Sequence, residues 1–256
     1  MSGKIIRRLK PEEEEILRKR EELTLIRATL AERELELVDL RSRLAVFEGR
    51  YLRQVGTLYA ELDEWKARIA ELKARLNPSA APEAREAREQ ARRTHEEAHG
   101  KASEAHEFTP SPELKSLFRE VAKRIHPDFA TDIADRQRRT RFMAAANHAY
   151  QSGDAEALQR ILDEYEQGAE AVKGEGIGAE LIRIIRQISL AKTRLSEIQQ
   201  ELATLRQSEI ARLKKETEEK EQEGRDLLAE LATAVRERIA LAKKEYEALA
   251  KEEIPR

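Results

Sequence analysis

Apolar residues recur every seven positions along the first part of the chain, and this periodicity constrains the fold more than any other feature. The step starts at Leu9 and continues through Ile16, Leu23, Leu30, Leu37, Leu44, Tyr51, Leu58, Trp65 and Leu72. A heptad repeat of this length predicts a long helix that buries one stripe against a partner, as in a coiled coil. A second apolar row changes phase near Tyr51, so we expect the packing of the partner to shift there.

A second heptad segment lies in the C-terminal part of the chain. Its two rows are Ile177, Ile184, Ala191, Ile198 and Leu205, and Leu181, Ile188, Leu195 and Leu202. The seam thins between Arg206 and Asp226, where Gly224 weakens the helix, and a 4-3 spacing resumes at Leu228. This polar gap is a candidate hinge.

The composition favours long helices over a compact globule, because 38% of the 256 residues are charged and only 4% are aromatic. The 48 basic and 50 acidic residues balance, which argues against nucleic acid or anionic lipid as a partner of the whole chain. The chain has no cysteine, which excludes disulfides and thiolate metal sites and is compatible with a cytoplasmic location. No signal-peptide core follows Met1, and no apolar run has the about 20 residues of a membrane-spanning helix.

Prolines and glycines divide the chain into segments. Pro78 and Pro82 end the first heptad arm, and a charged, solvated helical linker with a thin alanine stripe follows. Glycines from Gly168 to Gly178 separate a small apolar module from the second arm. The predicted segments are an N-terminal coiled-coil arm, a solvated linker, the module, a glycine-rich linker and a C-terminal coiled-coil arm, at residues 1–76, 77–107, 108–167, 168–178 and 179–256. We therefore expect an all-α protein.

The two arms have similar lengths and bracket the module. The simplest arrangement is an antiparallel intramolecular hairpin that carries the module at its tip. A homodimer is the alternative, because heptads specify which face is buried and do not identify the partner.

The first half of the module has the pattern of an amphipathic helix that ends by Ile125. Ser111 is a suitable N-cap and Pro112 suits the first helical position. The opposite side of this helix is basic. Its positive residues are Lys115, Arg119, Lys123 and Arg124.

The tripeptide His126-Pro127-Asp128 follows this helix directly. With the helix that precedes it, the tripeptide resembles the J-domain family, whose members carry His-Pro-Asp in the loop between their second and third helices. Met143 and the run ending at Tyr150 are similar to the third helix of that family. The expected module core is Leu114, Leu117, Phe118, Val121, Ile125, Met143, Ala146, Tyr150, Leu158 and Leu162.

The resemblance implies a bacterial-type co-chaperone that docks on a heat-shock ATPase of the seventy-kilodalton (DnaK-type) class and stimulates its ATP hydrolysis. It assigns docking to the loop and the basic face, which are His126, Pro127, Asp128, Lys115, Arg119, Lys123 and Arg124. The protein itself would be no enzyme and would need no cofactor, and its arms would position the module or recruit a client. The family's first helix has no counterpart before Leu114, so we expect the module to depend on packing against the coiled coil or on Phe108.

Other interpretations account for less of the pattern. A coiled-coil scaffold or spacer with an inactive module is the main alternative. The basic stripe, extended by Arg136, Arg138, Arg139 and Arg141, would suit nucleic-acid phosphates, but the balanced charge and the lack of exposed aromatic residues argue against it.

Metal binding and catalysis also have weak support. His95 and His99 stand four residues apart with His106 nearby, but zinc usually takes a third or fourth protein ligand. His126 and Asp128 would form an acid–base pair, yet no nucleophile or phosphate-binding loop accompanies them.

Overall fold

A computed structural model describes residues 11–100, 109–167 and 176–253, and across these ranges the regular structure is helical with no strand. The predicted all-α class is confirmed. In chain order the helices are α1 (Pro11–Tyr51), α2 (Thr57–Leu76), α3 (Ala81–Gly100), α4 (Pro112–Ile125), α5 (Ile133–Gln151), α6 (Ala155–Gln167), α7 (Ile177–Gln207), α8 (Glu209–Gln222) and α9 (Leu227–Glu253). Within the described ranges, none of these helices is long and apolar enough to cross a membrane.

The contacts divide the chain into two compact units. The first comprises Met1–Ser42 and Phe108–Arg206, and the second comprises Arg43–Glu107 and Gln207–Arg256. This division differs from the predicted segments, because residues of both predicted arms contribute to each unit.

In the first unit α1 pairs with α7 along the predicted heptad positions. The buried seam consists of Ile16, Leu23, Leu30, Leu37, Ile184, Ile188, Ala191, Ile198 and Leu202. Lys192 Nζ lies 2.7 Å from a Glu22 carboxylate oxygen, and an Arg41 guanidinium nitrogen lies 2.7 Å from Glu201. Residue numbers increase together along both helices, so α7 runs parallel to α1.

The predicted antiparallel hairpin is therefore wrong for this pair. Heptads fix which faces are buried but leave the direction of the partner open. An antiparallel pair of arms assumes a single reversal between them, and the chain makes an additional reversal between α2 and α3. Matched arm lengths could not reveal that extra turn.

In the second unit α9 packs along α2, and this pair is also parallel. Lys243 Nζ lies 2.9 Å from Glu61 Oε1, and Lys73 Nζ lies 2.7 Å from Glu245 Oε1. The buried cluster is Phe47, Val55, Leu62, Ile69, Leu228, Ala232, Val235, Ile239 and Ala242.

A π-helical turn at Leu52–Gly56 joins α1 to α2. A π-turn changes the angular position of the side chains that follow it. The turn lies where the second apolar row changes phase, and Val55, the first residue of the new row, is fully buried. The predicted shift in packing near Tyr51 is thus present.

Helix α3 occupies most of the segment predicted to be a solvated linker. It folds back against α2, since an Arg88 guanidinium nitrogen lies 2.7 Å from Glu71 Oε1 and the Thr94 hydroxyl donates to Asp63 at 2.9 Å. The alanine stripe is buried in this hairpin, at Ala84, Ala91 and Ala98. The segment is helical as predicted but not fully solvated, because small side chains allow close packing of two helices.

The predicted polar gap contains two helix ends. Helix α7 ends at Gln207, and the Ser208 hydroxyl caps α8 by accepting from the Ala211 amide at 3.3 Å. Gly224 lies between α8 and α9 with φ of +77°, a left-handed conformation that favours glycine. The interruptions are confirmed, and hinge motion stays a prediction.

Candidate functional site

Helices α4, α5 and α6 form a small module within the first unit. Helices α4 and α5 are antiparallel, because the rings of Phe118 and Tyr150 lie 4.9 Å apart and Arg139 donates to the Arg124 carbonyl at 2.9 Å. Leu117 is partly buried. The other predicted core residues are buried, namely Leu114, Phe118, Val121, Ile125, Met143, Ala146, Tyr150, Leu158 and Leu162.

Helix α1 completes this core. Ala31, Leu35 and Val38 belong to the same buried cluster as the module residues, and the Tyr150 hydroxyl donates to Asp39 Oδ1 at 3.2 Å. The predicted packing of the module against the coiled coil is therefore present. Phe108, the other candidate for that contact, lies outside the described residues.

Local capping fixes the loop between α4 and α5. The Ser111 hydroxyl caps the far end of α4 by accepting from the Leu114 amide at 3.1 Å. At the loop itself, the His126 amide donates to the Ala122 carbonyl at 3.2 Å where α4 ends, and Asp132 accepts from the Asp135 amide at 2.8 Å where α5 begins. Between the two helices, Pro127–Phe129 forms a 3-10 turn. Both ends of the loop are thus anchored to helix termini.

The side chain of His126 is oriented from both sides. Its Nδ1 atom lies 3.2 Å from the Asp128 amide nitrogen, and its Nε2 atom lies 3.2 Å from Glu34 Oε1 on α1. Because Nδ1 accepts from a backbone N–H, we assign the ring hydrogen to Nε2, which donates to Glu34. His126 is only 2% exposed and Asp128 only 8%.

Glu34 connects the loop to α7. Arg194 Nε lies 2.8 Å from Glu34 Oε1, and Arg194 Nη1 lies 3.1 Å from Glu201. Burial favours the neutral acid, but the hydrogen bonds from His126 and Arg194 outweigh it and lower the pKa of Glu34. The carboxylate is therefore ionised and is shared by two donors.

The environment of Asp128 stabilises a negative charge less well than that of Glu34. Its Oδ2 atom is buried and makes no hydrogen bond with the described residues, and burial raises the pKa of its carboxyl group. Oδ2 lies 3.7 Å from Nδ1 of His126. A carboxylate oxygen without a hydrogen-bond donor in the loop can accept a hydrogen bond from a group outside the loop.

Phe129 inserts into the seam between α1 and α7. It is 2% exposed, the Arg27 guanidinium lies 4.6 Å from its ring centroid, and its carbonyl accepts from Gln187 Nε2 at 3.0 Å. The apolar ring belongs to the same buried cluster as the heptad residues. The loop is thereby clamped by both helices of the coiled coil.

The predicted basic face is partly covered by α1. Lys115 Nζ lies 3.9 Å from Asp39 and an Arg119 guanidinium nitrogen lies 3.3 Å from Glu32. Lys123 is exposed. Arg124, also exposed, pairs with Glu120 at 2.7 Å and with Glu166.

The additional arginines beyond the loop have different environments. Arg138 donates to the Tyr165 carbonyl at 2.8 Å and Arg139 pairs with Asp135 at 2.9 Å, so both hold the module together. Arg136 and Arg141 are exposed. The structure therefore does not gather these arginines into one open basic surface.

The histidine pair on α3 lies in the other unit. The rings of His95 and His99 are stacked with centroids 4.1 Å apart. The described part of the chain contains no group of three or more His, Cys, Asp or Glu side chains placed to hold a metal. His106 lies outside the described residues.

Sequence reasoning missed the residues of the coiled coil that contact the loop. Glu34 and Arg194 appeared as ordinary charges of a heptad helix, and Phe129 was not assigned to any core. The one available signal was a second apolar stripe on α1, at Ala31, Leu35 and Val38, which predicts another packing partner on that side.

Comparisons with protein-family models, with curated proteins and with solved structures gave no match for this chain.

Proposed function

We propose that the protein is a J-domain co-chaperone, which docks on a heat-shock ATPase of the seventy-kilodalton class and stimulates its ATP hydrolysis. The observation that carries the proposal is the placement of His126, Pro127 and Asp128 in the turn between two antiparallel helices. The helix before the turn packs its apolar face into the module and carries basic residues elsewhere. This is the arrangement that the resemblance implied.

The chemistry of the loop supports docking on a polar partner. Pro127 fixes the backbone direction, and Asp128 offers a carboxylate oxygen that has no hydrogen-bond partner among the described residues. Basic groups of a chaperone would bind this acceptor, while Lys123 and Arg124 would meet acidic groups. The protein would act on the ATPase cycle of its partner without hydrolysing ATP itself.

The coiled coils would position the module or recruit a client. We place the protein in the cytoplasm, where chaperones of this class meet ATP and where a chain without cysteine needs no oxidising environment. Membrane and nucleic acid are not among the proposed partners.

One observation favours a second candidate function. His126 is almost completely buried and bonded to Glu34, as expected if the loop serves only to attach the module to α1. In that case the protein is a coiled-coil scaffold or spacer with an inactive module.

Steady-state ATP turnover by a bacterial chaperone of the seventy-kilodalton class distinguishes the two candidates. The full-length protein is titrated over a wide concentration range, because partial burial of a docking site weakens binding without abolishing it. We expect stimulation by the wild type, its loss in His126→Gln and its retention in His148→Gln, a matched change at an exposed histidine of α5. If folded wild-type protein does not raise the ATP turnover of the chaperone at any concentration, the scaffold function is favoured.

A further inference from the structure

We propose that α1 and α7 hold the docking loop in a closed resting state, in which acidic residues of α1 occupy the surface that the acidic partner would bind. This inference rests on the proposed function, because it concerns the regulation of the same site. The closed state is carried by contacts between α1, α7 and the module within the first unit.

Three acidic residues of α1 contact three residues of the predicted docking surface. Glu32 lies 3.3 Å from Arg119, Glu34 lies 3.2 Å from His126, and Asp39 lies 3.9 Å from Lys115. In each contact a carboxylate of α1 faces a basic or hydrogen-bond-donating side chain of the module. A partner with an acidic face would make the same kind of contact.

The acidic residues lie on both sides of the apolar stripe by which α1 enters the module core. At about 100° per residue, Glu32 and Asp39 fall on one side of Ala31, Leu35 and Val38, and Glu34 falls on the other, next to α7. Helix α1 therefore offers the module an apolar centre with an acidic rim. That combination resembles a protein interface more than an incidental surface contact.

Helix α7 closes the loop from the remaining side. Arg194 orients Glu34, and Gln187 bonds the carbonyl of Phe129, whose ring is buried in the seam. A chaperone cannot reach His126 in this arrangement, since 98% of its surface is covered and movement of the module away from the two helices is required first.

Part of the docking surface stays open. Lys123 and Arg124 are exposed at the end of α4, beside the covered loop. These two charges would guide the first encounter with an acidic partner, which then competes with Glu32 and Asp39 for the rest of the basic face. Because the partner and α1 both present acidic groups to the same basic face, binding of the partner would itself displace α1 and release the loop.

The double variant Glu32→Lys, Asp39→Lys is designed to open the site. Both changes turn an attractive contact with the module into a repulsive one while keeping Glu34, whose removal would leave Arg194 and His126 without their shared partner. Glu36→Lys is the matched control, because Glu36 lies on the same helix but pairs with Arg33 and with Arg206 of α7. Circular dichroism checks that all variants keep their helix content.

Exposure of the loop is measured without any chaperone. An imidazole-acylating reagent is applied to the full-length protein, and mass spectrometry compares the labelling rates of His126 and of exposed His148. We expect His126 to react about tenfold or more slowly than His148 in the wild type and in Glu36→Lys, because reaction requires local opening. The double variant should bring the two rates close together. Equal rates in the wild type would overturn the closed state.

ATP turnover then separates this inference from the proposed function. A closed fraction raises the concentration needed for half-maximal stimulation and leaves the maximum unchanged, so the double variant should act at a lower concentration. Equal half-saturating concentrations for the wild type and the double variant, with stimulation that needs His126, would refute the closed state and keep the co-chaperone function. Release of His126 without stimulation by either protein would refute the function and keep the closed state.

Discussion

Nε2 of His126 lies 3.2 Å from Oε1 of Glu34, so the imidazole of the proposed docking loop is held by a carboxylate of its own chain. Arg194 of α7 bonds the same carboxylate oxygen at 2.8 Å. A buried carboxylate with two donors is sensitive to the loss of its charge. This relationship links the geometry of the loop to the stability of the first unit.

The first prediction concerns the pH dependence of that stability. The pKa of Glu34 is lowered in the folded chain, so its contribution is present above its ordinary value of about 4.3 and is lost as the pH falls through the lower folded pKa. Glu34→Gln should cost about 1 to 3 kcal/mol in the free energy of unfolding at pH 7. The difference from the wild type should shrink in acid.

Urea unfolding at pH 7 and at pH 3 measures this difference. The pKa of Asp128 is raised chiefly by burial, which both proteins share, so this contribution largely cancels. Glu32→Gln is the control, because its pair with Arg119 is exposed and should contribute less than about 1 kcal/mol. A Glu34→Gln difference that is equal at both pH values would contradict the assignment of an ionised, stabilising carboxylate.

The second prediction tests whether the module depends on its packing against α1. Leu35 is buried in the module core, so Leu35→Ala should lower the free energy of opening of α4 and α5 by about 2 to 5 kcal/mol. Native-state amide hydrogen exchange in these two helices measures the change. Leu25→Ala, at a 70% exposed position of the same helix, should change it by less than about 0.5 kcal/mol. Equal effects of the two substitutions would show that the module is stable by itself.

The third prediction is the mass of the protein in solution. The heptad seams of the two arms bury each other within one chain, so the described parts of the arms leave no seam to recruit a second copy. Multi-angle light scattering at low micromolar concentration should give a mass close to the 29.4 kDa of one chain. A dimer mass would indicate that the arms pair between chains instead.

Much of the fold follows from local rules in the sequence. The heptads predict which residues of α1 and α7 are buried, the phase change near Tyr51 marks the π-turn, and Ser111 and Pro112 mark the start of α4. Each of these features depends on residues close together in sequence. Burial and backbone preference are sufficient to decide them.

The features that the sequence did not reveal depend on which surfaces meet. The predicted direction of α7 relative to α1 was wrong because a heptad does not encode orientation. Helix α3 was predicted to be solvated because its buried face carries only alanine. Glu34 could not be picked out among 50 acidic residues, since its role depends on His126, which is 92 positions away. The resemblance pointed to His126-Pro127-Asp128 as a candidate docking loop but gave no sign that α1 and α7 cover it.

The most direct test of the proposed function asks whether the chaperone contacts His126 itself. In the opened variant Glu32→Lys, Asp39→Lys, acylation of His126 is followed with and without excess chaperone and ATP. His148 is the internal reference, because it lies about 22 Å along α5 from the start of that helix. We expect the chaperone to slow the labelling of His126 several-fold and to leave the labelling of His148 unchanged. Unchanged labelling of His126 in the presence of bound chaperone would contradict the proposed function, because docking would then involve another part of the chain.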